Sequence, residues 1–122
     1  MIQSGLDDKD IRLNVVFFRT EYGNEPVREW LKSLSMDEKR IIGEDIKTVQ
    51  FGWPLGMPIV RKLQPGLWEV RSRLVGRIAR VLFTVKDGRM VLLHAFIKKS
   101  NQTPQADLRL SRQRLAQLRG EK

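Results

Sequence analysis

Residues 67–97, LWEVRSRLVGRIARVLFTVKDGRMVLLHAFI, carry the pattern around which the rest of the chain is organised. They divide into three β-rich runs, 67–74, 77–85 and 89–97, separated by Val75-Gly76 and Asp87-Gly88. Asp-Gly is a strong signal for a two-residue hairpin loop. Three such runs joined by tight turns predict an antiparallel meander. A two-residue loop at Val75-Gly76 sets Arg71 opposite Arg80, Val70 opposite Val81 and Trp68 opposite Phe83. The same loop length at Asp87-Gly88 sets Phe83 opposite Leu92 and Val81 opposite His94.

Side chains alternate between the two faces of a strand, so this register sorts them. One face receives Trp68, Val70, Ala79, Val81 and Phe83, joined by Leu92, His94 and Phe96. It is the expected core face, and His94 is expected there as a buried, hydrogen-bonded histidine; a slip of one residue would reverse that. The other face receives Glu69, Arg71, Arg73 and Arg80, with Leu93, Ala95, Ile97 and the exiting Lys99. Like charges opposed across a sheet destabilise it, so Arg71 opposite Arg80 calls for a reason. A bound phosphodiester supplies one, because guanidinium matches phosphate oxygens bidentately. A solvated face with Arg stems lying over Leu93 and Ile97 is the alternative.

Upstream, residues 11–18 (IRLNVVFF) read as a strand and 19–25 as a turn. Pro26 suits a first helical position. Val27, Trp30, Leu31 and Leu34 follow at helical spacing. Ser35 with Glu38 forms a capping-box pattern for a second helix. Ile42, Ile46 and Val49 continue its apolar stripe, and Gly52 offers a C-cap. GWPLGMP (52–58) is a loop, 59–63 a short strand and Pro65-Gly66 a turn. Downstream, Thr103 is the expected N-cap and Pro104 the first residue of a basic helix, 104–119, with Leu108, Ser111, Leu115 and Leu118 on one side. Arg109, Arg112, Arg114 and Arg119 spread over the rest, either as solvated charge or as contacts to a nucleic-acid backbone. Trp30 and Trp53 read as packing residues. The predicted order is β-α-α-β-β-β with a closing helix. That is an α+β domain whose antiparallel sheet carries two helices on one face. Residues 1–10 are expected to be a flexible N-terminal segment and 11–122 a single domain.

Composition narrows the chemistry. The chain has 122 residues, no cysteine, one histidine and a formal charge of +9. Thiolate catalysis, Cys-type zinc sites and His-pair mechanisms are excluded. No apolar run is long enough for a membrane span, and MIQSGLDDKD is unlike a signal peptide. A soluble cytoplasmic protein is expected. Residues 1–58 hold 8 Lys+Arg and 10 Asp+Glu, whereas 59–122 hold 15 and 4. All of the basic excess therefore lies in the second half, which points to a polyanion partner.

The run from Lys62 to Leu115 resembles the phage-derived branch of HigB-like toxins of the RelE superfamily. The resemblance rests on LWEVR (67–71), GRIARVLF (76–83), LLHAFIKK (92–99) and TP (103–104) before a basic helix, with PVREWLKSL (26–34) upstream. Their order and spacing cover about residues 11–118. It implies a RelE-like fold and an mRNA interferase acting on the translating ribosome. In that chemistry a ribose 2′-OH attacks its own 3′ phosphate without a metal or cofactor, leaving a 2′,3′-cyclic phosphate and a 5′-OH. The implied partners are mRNA on the ribosome and a cognate antitoxin of helix-turn-helix type, with operator DNA reached only through that antitoxin, and no membrane.

By the same resemblance, Arg71, Arg80 and Lys99 (or Lys98 with a small shift) correspond to the family's basic catalytic residues. Arg73, Arg77, Lys98, Arg109 and Arg112 are the expected RNA-binding residues. One departure stands out: no Tyr or His follows His94, and the only tyrosine is Tyr22. Glu69 is then the nearest candidate base. A non-catalytic RNA- or ribosome-binding domain is the alternative function. Direct DNA readout lacks a visible isolated helix-turn-helix pair.

Overall fold

A computed structural model describes residues 12–120. The expected flexible segment 1–10 lies outside these residues. In chain order the elements are β1 (Asn14–Phe17), α1 (Pro26–Lys32), α2 (Met36–Gly52), β2 (Val60–Gln64), β3 (Leu67–Leu74), β4 (Arg77–Lys86), β5 (Arg89–Lys98) and α3 (Gln105–Leu118). They form an α+β fold on one five-stranded sheet of order β1-β5-β4-β3-β2. Pairs β2–β3, β3–β4 and β4–β5 are antiparallel, while β1 joins β5 in parallel. The sheet is therefore mixed rather than wholly antiparallel. A strand that reaches the sheet edge across intervening helices is free of the antiparallel constraint that a two-residue hairpin imposes.

The turns behave as their sequences require. Asp87 and Gly88 both adopt positive φ (53° and 73°), the backbone of a type I′ hairpin loop. Ser35 caps α2: its side chain accepts from Glu38 N, and the Glu38 carboxylate accepts from Ser35 N, each at 3.2 Å. Gly52 is the last residue of α2, with Trp53 rather than Gly52 at the cap. The expected cap of α3 is displaced too. Pro104 is the N-cap, with no side-chain bond to the helix, because the Thr103 hydroxyl is engaged on the sheet.

Two cores lie on opposite faces of the sheet. Val27 of α1 and Ile42, Ile46 and Val49 of α2 pack with Val70, Ala79, Val81 and Phe83. Trp53, Trp68 and Phe83 interlock there, with Trp53 edge-on to Trp68 at 5.0 Å between ring centres. On the other face Leu115, Leu108 and Leu118 of α3 cover Leu82, Leu93 and Phe96. Successive strand residues point to opposite faces, so α3 buries the face that carries Glu69 and Arg80.

The β3–β4 register follows the turn lengths, with Trp68 opposite Phe83, Val70 opposite Val81 and Arg71 opposite Arg80. The β4–β5 register departs from expectation halfway along. Phe83 pairs with Leu92 as expected, but Leu82 pairs with His94 and Val81 with Ala95. One extra residue in β5 produces this shift, a β-bulge in which Leu93 and His94 oppose Leu82. The bulge reverses the faces beyond it. His94 and Phe96 leave the expected core face and join Arg80 beneath α3. Ala95 and Ile97 move to the α1/α2 side, where they pack against that core.

Candidate functional site

Three basic residues of the second half converge on the segment that links β5 to α3. Arg61 on β2 donates to Asn101 O at 3.0 Å, and Arg71 on β3 reaches the same oxygen at 3.5 Å. Arg80 on β4 donates to Gln102 O at 3.0 Å and to Ser100 O. Three arginines from three adjacent strands thus hold three consecutive backbone carbonyls. Glu69 completes the arrangement: Oε1 accepts from Arg71 Nη1 at 3.0 Å and Oε2 from Thr103 Oγ1 at 2.8 Å. Arg80 Nε lies 4.0 Å from Glu69 Oε1 and has no hydrogen-bond partner among the described residues.

Burial separates these groups. The side chains of Glu69 and Arg80 are fully enclosed, whereas that of Arg71 is 12% exposed. Desolvation lowers the pKa of Arg80, while Glu69 favours its charged form and the nearby Arg71 and Arg61 oppose it. The opposed pair Arg71–Arg80 is therefore compensated internally, by one carboxylate and by linker carbonyls. Arg61, which pairs across the strands with Glu69, was absent from the residues singled out in the sequence. Its place on a short edge strand carries no signal beyond its charge.

The exposed cations lie toward the β3–β4 turn. Arg73, Arg77 and Lys99 border one depression of about 290 Å³ with Ile78. Arg71 and Arg73 border a second of about 330 Å³ with Ile41, Asp45, Pro58 and Ile59. A small cleft lined by Met57, Pro58 and Ile78 shares both arginines with it. Arg71, Arg73, Arg77 and Lys99 thus flank one continuous surface. Arg77 is ion-paired to Glu38, while Arg73 and Lys99 have no ion-pair partner among the described residues. Lys98 is exposed at the end of β5 and lies opposite Ile78. The bulge thus gives Lys98, rather than Lys99, the strand parity of Arg80.

The remaining candidates lie elsewhere. Arg109 is exposed on α3, and Arg112 Nε donates to Gln64 Oε1 at 2.5 Å beside β2. His94 is hydrogen-bonded, though on the α3 side. Its Nε2 is 2.6 Å from Asp107 Oδ1, and its Nδ1 is 3.5 Å from Arg114 Nη1, which also donates to Leu93 O at 2.8 Å. Both ring nitrogens are thus engaged. Burial lowers the pKa of Arg114.

Among the described residues no helix is long and apolar enough to cross a membrane. A comparison with curated proteins found no match. Residues 29–116, from α1 through most of α3 and including every cation of the cluster, match the family model described as phage-derived protein Gp49-like (DUF891). That match spans well over half of the sequence, and the chain belongs to this phage-derived Gp49-like family.

Proposed function

We propose that this protein is the toxin of a type II toxin–antitoxin pair and a metal-independent endoribonuclease acting on mRNA at the ribosome. The single observation that carries this reading is the row of accessible cations, Arg71, Arg73, Arg77 and Lys99, on a surface contained in the Gp49-like match. The HigB-like resemblance of residues 62–115 supports the same reading. Guanidinium groups so placed suit a phosphodiester, and they act most strongly on the charge that develops on phosphorus as the bond is exchanged.

In the proposed reaction the ribose 2′-OH loses its proton and attacks the adjacent phosphorus. The P–O5′ bond breaks, and the leaving 5′-oxygen takes up a proton. A 2′,3′-cyclic phosphate and a 5′-OH result. Arg71 and Lys99 contact the scissile phosphate, and Arg73, Arg77 and Lys98 guide the flanking RNA. Arg109 and Arg112 extend that path along α3. Arg80 works from beneath, fixing the linker that carries Lys99 and adding positive potential. Glu69 can serve as base only when Thr103 and the linker withdraw from it. A helix-turn-helix antitoxin with an acidic segment would complement this surface and neutralise it.

Arg71→Ala, Arg73→Ala and Lys99→Ala, each expressed under induction, test the reading. Growth arrest relieved by these substitutions, with loss of codon-linked mRNA ends bearing 5′-OH, supports it. Undiminished arrest in all three overturns it. The second reading, a non-catalytic RNA- or ribosome-binding domain, draws on the enclosure of Glu69 and on the engagement of both His94 nitrogens. Unchanged mRNA ends with ribosome or RNA still bound would favour it.

A further inference from the structure

Asp45 is an acidic residue in a basic surface, and it is left over by the reading above. It is half-buried on α2, between the core residues Ile42 and Ile46 and Val49. Its carboxylate has no ion-pair or hydrogen-bond partner among the described residues. Two arginines border the same depression of about 330 Å³. Arg71 bonds Glu69 and Asn101 through Nη1 while still bordering the depression, and Arg73 pairs with nothing described. The walls between acid and bases are apolar: Ile41, Pro58 and Ile59.

Three chemical features therefore stand side by side: a free carboxylate acceptor, an apolar slot and cations at its rim. A nucleotide matches all three. The base has flat apolar faces, its edge carries N–H donors, and its phosphate lies a few ångströms from that edge. A carboxylate accepts only, so the edge it meets must donate. Exocyclic amino groups of guanine, adenine and cytosine do so, whereas uracil presents two carbonyl oxygens flanking a single N–H. Single-stranded RNA is commonly read this way, with splayed bases hydrogen-bonded on their edges.

We infer that the depression between α2 and β3 is a base-reading pocket in which Asp45 selects an amino-bearing base over uracil, while Arg71 and Arg73 hold the adjoining phosphate. This rests on the RNA-binding reading above. It assigns Asp45 a role in specificity, not in catalysis.

The test is fluorescence anisotropy with U-rich RNA hexamers carrying a single central G, A, C or U. The purified protein is expected to prefer the amino-bearing hexamers over the all-U hexamer by roughly tenfold, the scale of one good base-edge contact. Asp45→Asn keeps the side-chain volume and replaces one acceptor oxygen by an NH2 donor, so it should abolish that preference and bind the all-U hexamer at least as tightly as the parent. Asp45→Ser should abolish the preference as well. Base preference unchanged in both variants overturns the inference and leaves RNA binding standing. Equal weakening toward all four hexamers also overturns it, in favour of a structural role. Failure of the parent to bind any hexamer or ribosome-bound mRNA overturns the RNA reading itself.

Discussion

The Thr103 hydroxyl donates a 2.8 Å hydrogen bond to Glu69 Oε2, tying the entrance of α3 to the centre of the sheet. The residue that by pattern should cap a helix instead satisfies a buried carboxylate. Its bond sits beside the carbonyls of residues 100–102, which Arg61, Arg71 and Arg80 hold. The position of Lys99 relative to Arg73 and Arg77 is thus fixed from below.

Thr103→Val keeps the shape of the side chain and removes the donor. Glu69 Oε2 is then left without a partner in an enclosed site, a loss of about 1–3 kcal/mol. Thr103→Ser should retain most of the stability. Urea denaturation read as a change in midpoint at constant slope checks both.

Arg80→Met removes two carbonyl bonds and the nearest countercharge after Arg71. Breaking a buried ionic arrangement by deleting one partner costs about 3–5 kcal/mol. Arg80→Lys is not expected to rescue it, because one ammonium does not reproduce the planar fork that reaches Ser100 and Gln102. A double-mutant cycle with Glu69→Gln should show clear coupling in the same denaturation experiment.

Glu38 links stability to pH. The Ser35 backbone N–H is the largest cause holding its carboxylate below the ordinary 4.5, with the Ser35 hydroxyl and Arg77 acting in the same direction against a desolvation penalty. A depressed carboxylate pKa stabilises the fold above the unfolded value, and that contribution is lost as pH falls through the folded value. The stability difference between the parent and Glu38→Gln should therefore be present near neutrality and shrink on acidification below 4.5. Thermal unfolding across that pH range measures it.

Arg73 and Lys99 carry the least internal obligation of the proposed phosphate contacts. Each alanine substitution should weaken RNA binding with little effect on thermal stability. It should also reduce the slope of log affinity against log salt by about 1 or less. Salt titration of RNA binding is the readout, and an unchanged slope in both variants would remove them from the interface.

Deleting Leu93 should straighten β5. The bulge exists because Leu93 and His94 together oppose Leu82. Without the extra residue, His94 directly follows Leu92 and stays opposite Leu82, so it keeps its face and its bonds to Asp107 and Arg114, while the Leu93 side chain is lost from the core beneath α3. Cooperative unfolding is expected to persist with stability lowered by about 2–5 kcal/mol, the scale of a buried leucine removed from a core, as measured by urea denaturation. Asp107→Asn should likewise keep the fold and lower its stability, since an acid in the first turn of α3 also complements the helix dipole.

The strands, the Val75-Gly76 and Asp87-Gly88 turns, the capping box at Ser35 and the pairing of Arg71 with Arg80 were legible because each depends on a few neighbouring residues. A two-residue loop fixes partner positions arithmetically, so one register could be deduced before any contact was known. The bulge in LLHAFI left no comparable trace. No glycine or proline marks it, and its benefit comes from packing Leu93, His94 and Phe96 against a helix that arrives later in the chain.

Local residue patterns account for the secondary elements, the charge division at residue 58 and the opposition of two arginines on one sheet face. What those arginines do depends on how distant elements pack. α3 folds over their face, water is excluded from Glu69 and Arg80, and buried polar groups must then find partners. The nearest partners are the carbonyls of the linker. What reads in sequence as one cationic cluster is therefore two layers in space: an enclosed one that binds the protein's own backbone, and an exposed one of Arg73 and Lys99, with Arg71 and the Glu38-paired Arg77 at its edge, that faces outward.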